Sequence, residues 1–293
     1  MKMKLLMKTL WLLPLSIIAF VMVYPFVFSF LAGLFPKEEF THVGSMIPIP
    51  KHIVLDWYTG LFESTMIRPF FNTVWRTAWY TFAVTAIAFL VGYVLARLRF
   101  PGKTFFFFFI IIIQMIPGVL TLIPTYILMA KLPLLGGNDW FGAGGHGLIN
   151  NPLVLYVLIG PANIVWIYLF RQSISALPRD FEEAASIDGS GFFRTLLTVI
   201  LPIQKPIIAT IALNTAIMTW NDWLNPFMYV NKIEYTTITG YVGLLVSALS
   251  KFGDRNYPLI FAASTVAVLP PLIIFLFMQK YIVQGFANAG IKG

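Results

Sequence analysis

Six apolar stretches, each long enough to cross a bilayer, constrain this chain more than any other feature. They cover about residues 10–35, 73–96, 104–130, 153–170, 207–230 and 259–278. Roughly 30 Å of hydrocarbon, crossed at about 1.5 Å per residue, takes about 20 apolar residues in a helix. Strands of a membrane barrel would be about 10 residues long and alternate in polarity. These runs are long and continuous, so they are read as helices. The first follows Lys2, Lys4 and Lys8, as a signal peptide would, but it outruns the about 7–15 apolar residues of such a peptide. No A-x-A-like site follows it, and it is expected to remain as an anchor.

Composition agrees. Hydrophobic residues make up 58% of the 293 and charged ones 11%, against about 45–50% and about 25% in soluble domains. With Cys at 0, a disulfide-stapled secreted module is excluded. Six spans would use roughly 120 residues, leaving chain for loops but none for a separate soluble catalytic domain. The formal net charge of +8 would suit nucleic acid. In a membrane protein it is explained by basic loops facing anionic lipid, so membrane lipid is the expected partner and nucleic acid is not. The expected fold is all-α and polytopic: six transmembrane helices in one domain, 1–293.

Orientation follows from Lys and Arg in the short loops. One side holds 12, among them Arg97, Arg99, Lys103, Arg171, Arg179 and Arg194; the other holds 7, and Arg76 lies at the mouth of the second run. The excess places both termini in the cytoplasm. The outer loops are then 36–72, 131–152 and 231–258, the middle one glycine-rich and irregular. Pro117, Pro124, Pro270 and Pro271 fall inside runs three and six, where each removes a backbone donor and kinks its helix. Packing irregularity and a gating hinge both fit.

The largest cytoplasmic loop, 171–206, is unusual. Pro178 suits a first helical turn, Asp180, Glu182 and Glu183 sit at the positive helix end, and Gly189 is a natural left-handed terminator. Ser190 is placed to cap a second helix, 191–199, that returns Phe192, Phe193, Leu196 and Leu197 to the membrane. Small Ala184 and Ala185 would admit a partner closely, while Glu183 and Asp188 offer anionic handles for a partner arginine. The alternative is an ordinary amphipathic surface helix.

The stretch Glu183-Ala184-Ala185-x-x-x-Gly189, followed by Leu201-Pro202, resembles the EAA motif of ABC-importer permeases. With Ser186-Ile187-Asp188 and Ser190 it looks like the carbohydrate-uptake branch, the family of the maltose transporter's smaller permease. Trp220-Asn221-Asp222-Trp223 resembles that branch's W-N-[ED]-F element, and the tail from Gln279-Lys280-Tyr281 to Gly293 is similar to its C-terminal signature.

The resemblance implies a pore-forming subunit in a bacterial inner membrane. Its loop helix, through Glu183, Ala184, Ala185, Asp188 and Gly189, would dock on a cytoplasmic ATPase and transmit its closure. Two ATPase subunits would hold ATP and Mg, with no cofactor in this chain. A homologous second permease would complete a heterodimeric pore, and an extracytoplasmic solute-binding protein would deliver an oligosaccharide, whether malto-, other neutral or a uronate type such as alginate. The C-terminal tail would also touch the ATPase.

Run five carries Thr210, Asn214, Met218, Asn221 and Asn225. At about 100° per residue these fall within an arc of roughly 80°. Amides inside a membrane face the bundle or a wet cavity, and such a stripe suits hydroxyl-rich solutes, with Trp220 or Trp223 able to stack on a sugar. Bonding to neighbouring helices explains the same residues, and the partner permease could supply most sugar contacts. Asp222 lies about 24 Å along a helix from Pro206, near the outer surface and poorly placed for a proton relay.

Other chemistries lack their residues. Gly102-Lys103-Thr104 imitates the end of a phosphate loop, but Arg97 stands where its first glycine belongs. His42, His52 and His146 sit in outer loops without an H-E-x-x-H or cysteine cluster, so no metal is expected. Phe105 to Phe109 reads as lipid-facing or packing bulk. An ion-coupled secondary transporter of small polar solutes is the alternative function, although the middles of the six runs hold no charged residue. A membrane-embedded enzyme lacks an acid, base or nucleophile pair.

Overall fold

The computed structural model describes residues 2–42, 44, 46–157, 163–252 and 256–290. Among these it is helical without a strand, as a lipid-embedded backbone that must satisfy its own hydrogen bonds requires. In chain order the helices are α1 (Lys2–Ala32), α2 (Lys37–Phe40), α3 (Asp56–Gly60, continued by a π turn, Leu61–Thr65), α4 (Ile67–Arg97), α5 (Lys103–Gln114), α6 (Gly118–Ala130), α7 (Val154–Val157), α8 (Asn163–Ser175) and α9 (Asp180–Ile187). There follow α10 (Phe192–Thr195) and α11 (Leu201–Ile203), joined by a π turn Leu196–Ile200, then α12 (Lys205–Trp220), α13 (Leu224–Tyr229), α14 (Ile238–Phe252) and α15 (Tyr257–Gly290).

Among the described residues, three single helices are long and apolar enough to cross a membrane: Leu12–Ala32, Ile67–Arg97 and Tyr257–Leu276. They correspond to runs one, two and six. Runs three and five are bent pairs. Lys103–Gln114 and Gly118–Ala130 meet at 96°, at the break before Pro117, and Phe192–Ile203 meets Lys205–Trp220 at 78°. Run four lies on α7 and α8, with 158–162 between them outside the described residues. Residues 291–293 of the tail signature also lie outside them, as do the side chains from 277 onward.

The centre of the bundle is α4, packed chiefly against α8 and α12. Ala88, Phe89, Ile167, Phe170, Ile174 and Ile211 form its buried core. Apolar burial gives no drive toward association inside lipid, so close van der Waals fit must hold the helices together. Gly92 makes that fit: a Cβ there would stand 2.6 Å from the Phe170 Cβ and 3.1 Å from the Arg171 nitrogen. A second core joins Leu61, Met66, Trp220, Ile238, Tyr241, Ala262 and Ala263.

Three local expectations are corrected. Segment 231–258 is no open loop, because α14 occupies its centre and packs on α13 and α15; its apolar part, Ile238–Ala248, is too short to read as a span. Ser190 does not cap the second loop helix, which starts after Gly191 without a side-chain cap. That helix runs on to Ile203 as one rod, and the bend falls at Gln204. There a buried amide accepts a 2.8 Å bond from the Ser173 hydroxyl.

Candidate coupling loop and solute groove

The knuckle of loop 171–206 is built as its sequence implies. Asp180, Glu182 and Glu183 occupy the first turn of α9, where they complement the exposed N–H groups. The helix ends in a Schellman motif: the Gly189 N–H bonds the Ser186 carbonyl at 3.0 Å and the Ser190 N–H bonds that of Ala185 at 2.9 Å. Gly189 has φ +76°, the left-handed region that a side chain disfavours. Glu183, Ala184, Asp188 and Gly189 are all exposed, and Ile187 is 87% exposed beside them.

Ala185 departs from the expected set. It is only 7% exposed, facing its own chain, so its small size lets α9 lie close to the rod that follows it. Of the two alanines, Ala184 alone is exposed.

The knuckle is pinned to α4. Arg97, at the end of α4, places its Nε 3.0 and 3.2 Å from the two carboxylate oxygens of Glu182. Its Nη2 donates to the Leu177 carbonyl at 2.9 Å. Tyr93, one turn earlier, meets the Phe192 ring edge-on at 5.6 Å. Sequence reading counted Arg97 only as a cytoplasmic charge. Its partner lies 85 residues away, and no local pattern links them.

Toward the other end of α4, nine residues in from Ile67, Arg76 is buried and pairs with Asp222 at 2.5 Å. Its Nε and Nη1 donate to the carbonyls of Leu155 at 3.3 Å and Thr219 at 3.4 Å. Asp222 also accepts from the Asn225 backbone N–H at 3.2 Å and from its Nδ2 at 2.9 Å. One hub thus ties α4 to α7, α12 and α13. The pair was missed in the sequence, where two lone charges of opposite sign at the same end of two spans were the available signal.

This hub disperses the polar stripe expected on run five. The helix stops at Trp220, so Asn225 leaves the arc and serves Asp222. Trp220 is buried, donating its indole N–H to the Ala267 carbonyl at 3.0 Å, and is placed for packing rather than for stacking on a sugar. Asn214 donates to its own helix at the Thr210 carbonyl, and Met218 is exposed.

Asn221 instead borders a cavity of about 580 Å³, open along one flank, with Trp223, Phe227, Thr239, Ser247 and Ser264. Trp223 is 51% exposed and lies 5.9 Å from Phe227. Aromatic faces beside amide and hydroxyl groups are what a hydroxylated solute requires. A larger cleft of about 710 Å³, between α4, α12 and α15, is lined by apolar groups such as Val74, Phe82, Ala212 and Ile274, and suits such a solute poorly.

Residues 88–288 match the family described as binding-protein-dependent transport system inner membrane component. The chain belongs to that family. It is therefore a membrane subunit of a transport system rather than an enzyme, and the EAA resemblance holds. The arabinooligosaccharides transport system permease protein AraQ of Bacillus subtilis is 30% identical over 97% of this chain and 95% of its own length. Its namesake in Halalkalibacterium halodurans is 29% identical over 97% and 96%. The sn-glycerol-3-phosphate transport system permease protein UgpE of Escherichia coli is 25% identical over 92% of each. The fold is that of a chain in a bacterial ABC transporter involved in import of the acidic polysaccharide alginate, with TM-score 0.74 and 22% identity over 94% of this chain and 96% of that one. None of these likenesses favours an ion-coupled carrier.

Proposed function

We propose that this permease is one half of the pore of an ATP-driven oligosaccharide importer, a single domain whose loop 171–206 faces the cytoplasm. The observation that carries this reading is the knuckle itself: an exposed α9 closed by Gly189 and fastened through Glu182 to the end of α4. A cytoplasmic ATPase gripping Glu183, Ala184, Asp188 and Gly189 would move α4 through Arg97, and the rod Phe192–Ile203 would turn about Gln204. Two such ATPases, with their ATP and Mg, and a homologous second permease complete the machine. The open flank of the groove at Asn221 and Trp223 is a shape that a second subunit would close. A solute-binding protein would load that groove from outside the cell.

The groove supports a neutral cargo. None of the side chains lining it is charged, and Arg76, the nearby cation, already has its carboxylate. A neutral glycan such as an arabino-oligosaccharide fits this lining better than a uronate chain does. The test is uptake of labelled neutral and uronate oligosaccharides into proteoliposomes holding the whole complex, with binding protein outside. Uptake of the neutral sugar that needs internal ATP and no ion gradient is expected. Uptake driven by a proton or sodium gradient without ATP would overturn the proposal, and a preference for the uronate would overturn the cargo.

A further inference from the structure

Basic side chains among the described residues differ in whether a carboxylate stands beside them. Arg68, Arg76 and Arg97 each have a carboxylate within ion-pair reach, in Glu234, Asp222 and Glu182. At the Arg97 end of the bundle, Arg99, Lys103, Arg171 and Arg179 have no such partner among the described residues. Arg171 rests on Phe107, one turn beyond Lys103 on α5, and the positive charges of Arg171, Arg179 and Arg99 all act against the Lys103 ammonium. Arg99 and Arg179 are exposed, whereas Lys103 and Arg171 are partly withdrawn from water, where like charges screen one another less.

Two members are held in fixed positions. The Lys103 ammonium donates to the Leu98 carbonyl at 2.9 Å, just past the end of α4. The Arg171 guanidinium carbon lies 3.9 Å from the centre of the Phe107 ring, and its Nε is buried without an acceptor.

The surroundings decide what supplies the missing anion. Phe107 is turned inward, stacked on Tyr168 at 6.3 Å. Phe105, Phe106, Phe108 and Phe109 on the same helix are all exposed, Phe105 at 72%. A cationic cluster thus adjoins a surface of phenyl rings that a purely aqueous anion would leave uncovered. We infer that Lys103, Arg171 and Arg179, with Arg99 at the rim, form a site for the phosphate of one anionic phospholipid whose acyl chains lie on the exposed phenylalanines. The inference rests on the membrane setting and is independent of cargo. A lipid held there would bridge α5, α8 and the approach to α9, next to the Arg97 pin.

Native mass spectrometry of the full complex, released from nanodiscs of phosphatidylcholine doped with phosphatidylglycerol, tests this. Each cation beside an anionic lipid is worth about fivefold in binding. The double variant Lys103→Gln, Arg171→Gln is therefore expected to retain phosphatidylglycerol about 25-fold less than the parent, with phosphatidylcholine retention unchanged. Arg171→Lys, which keeps the charge, is the control for folding and should retain most of the lipid. Equal phosphatidylglycerol retention by parent and double variant would overturn the inference. So would displacement of the lipid by millimolar inorganic phosphate, which would mark a free-anion site, or loss of the lipid whenever the ATPase subunits are bound, which would assign the cations to the ATPase.

Discussion

Helix α4 carries two arginines about 32 Å apart along its axis, each largely buried on a carboxylate, and they differ in what those carboxylates belong to. Arg76 is enclosed, bonded to Asp222 and two carbonyls where run five breaks. Arg97 is nearly as enclosed, but the carboxylate it holds belongs to a knuckle whose other face is bare. The first is a fixed joint that positions the groove. The second is a fastening between a long helix and an element free to be gripped from outside. One rigid strut thereby connects the solute side to the proposed motor side.

Removing Arg76 should have the largest effect. Arg76→Ala leaves Asp222 largely buried and unpaired, a loss of about 3–5 kcal/mol, visible as lost folded protein in a detergent thermal-shift assay. Replacing both partners, Arg76→Met with Asp222→Leu, should recover part of that loss. Arg97→Ala should lower thermal stability less, by about 1.5–3 kcal/mol, yet reduce ATP-driven uptake more than it reduces folded yield. Equal effects of the two changes on stability and transport would erase the distinction between joint and fastening.

Gly189→Val sharpens the Arg97 side. A β-branched residue at φ +76° is strained by about 1–2 kcal/mol, and its side chain meets nothing within 4 Å in this chain. Folding should survive while ATPase association falls, measured by co-purification. On the groove side, Gly243 faces Phe227 at 3.3 Å and Trp223 at 3.5 Å from where a Cβ would stand. Gly243→Leu should fill the cavity and lower uptake with ATPase association intact.

The smallest effect concerns an exposed contact. The Lys51 backbone N–H, 2.7 Å from the carboxylate, is the main influence holding Glu39 below the usual carboxylate range, with His52 assisting. A lowered carboxylate stabilises above its unfolded value and ceases to as pH falls through its folded one. Hydrogen-exchange protection across residues 37–52, corrected for the intrinsic pH dependence of exchange, should therefore be constant above about pH 5 and fall only in more acid solution, below about pH 4.

What was legible in the sequence was whatever acts locally. Apolar length located the long helices, Gly189 ended α9 as its backbone freedom requires, and the acidic first turn stands where the helix dipole favours it. What was illegible depends on distant partners. Helix α12 ends at Trp220, beside an Asp222 that pairs with Arg76, 146 residues away, so a periodicity drawn through Asn225 had no means of registering the break. Ala185 is a small residue whether it admits a partner or its own chain, and only packing separates the two. Ile238–Ala248 falls short of a span, yet its apolar face is buried against α15.

The most direct test uses the absence of cysteine from the chain. A single cysteine at Ala184, paired with single cysteines scanned along the proposed ATPase cleft, can be oxidised in the assembled complex. A disulfide at Ala184→Cys that forms or breaks with ATP, together with no bond from Ala185→Cys on the inner face of α9, is the expected result. A knuckle that stays unlinked from every ATPase position, or that labels only from the outside of sealed cells, would contradict it.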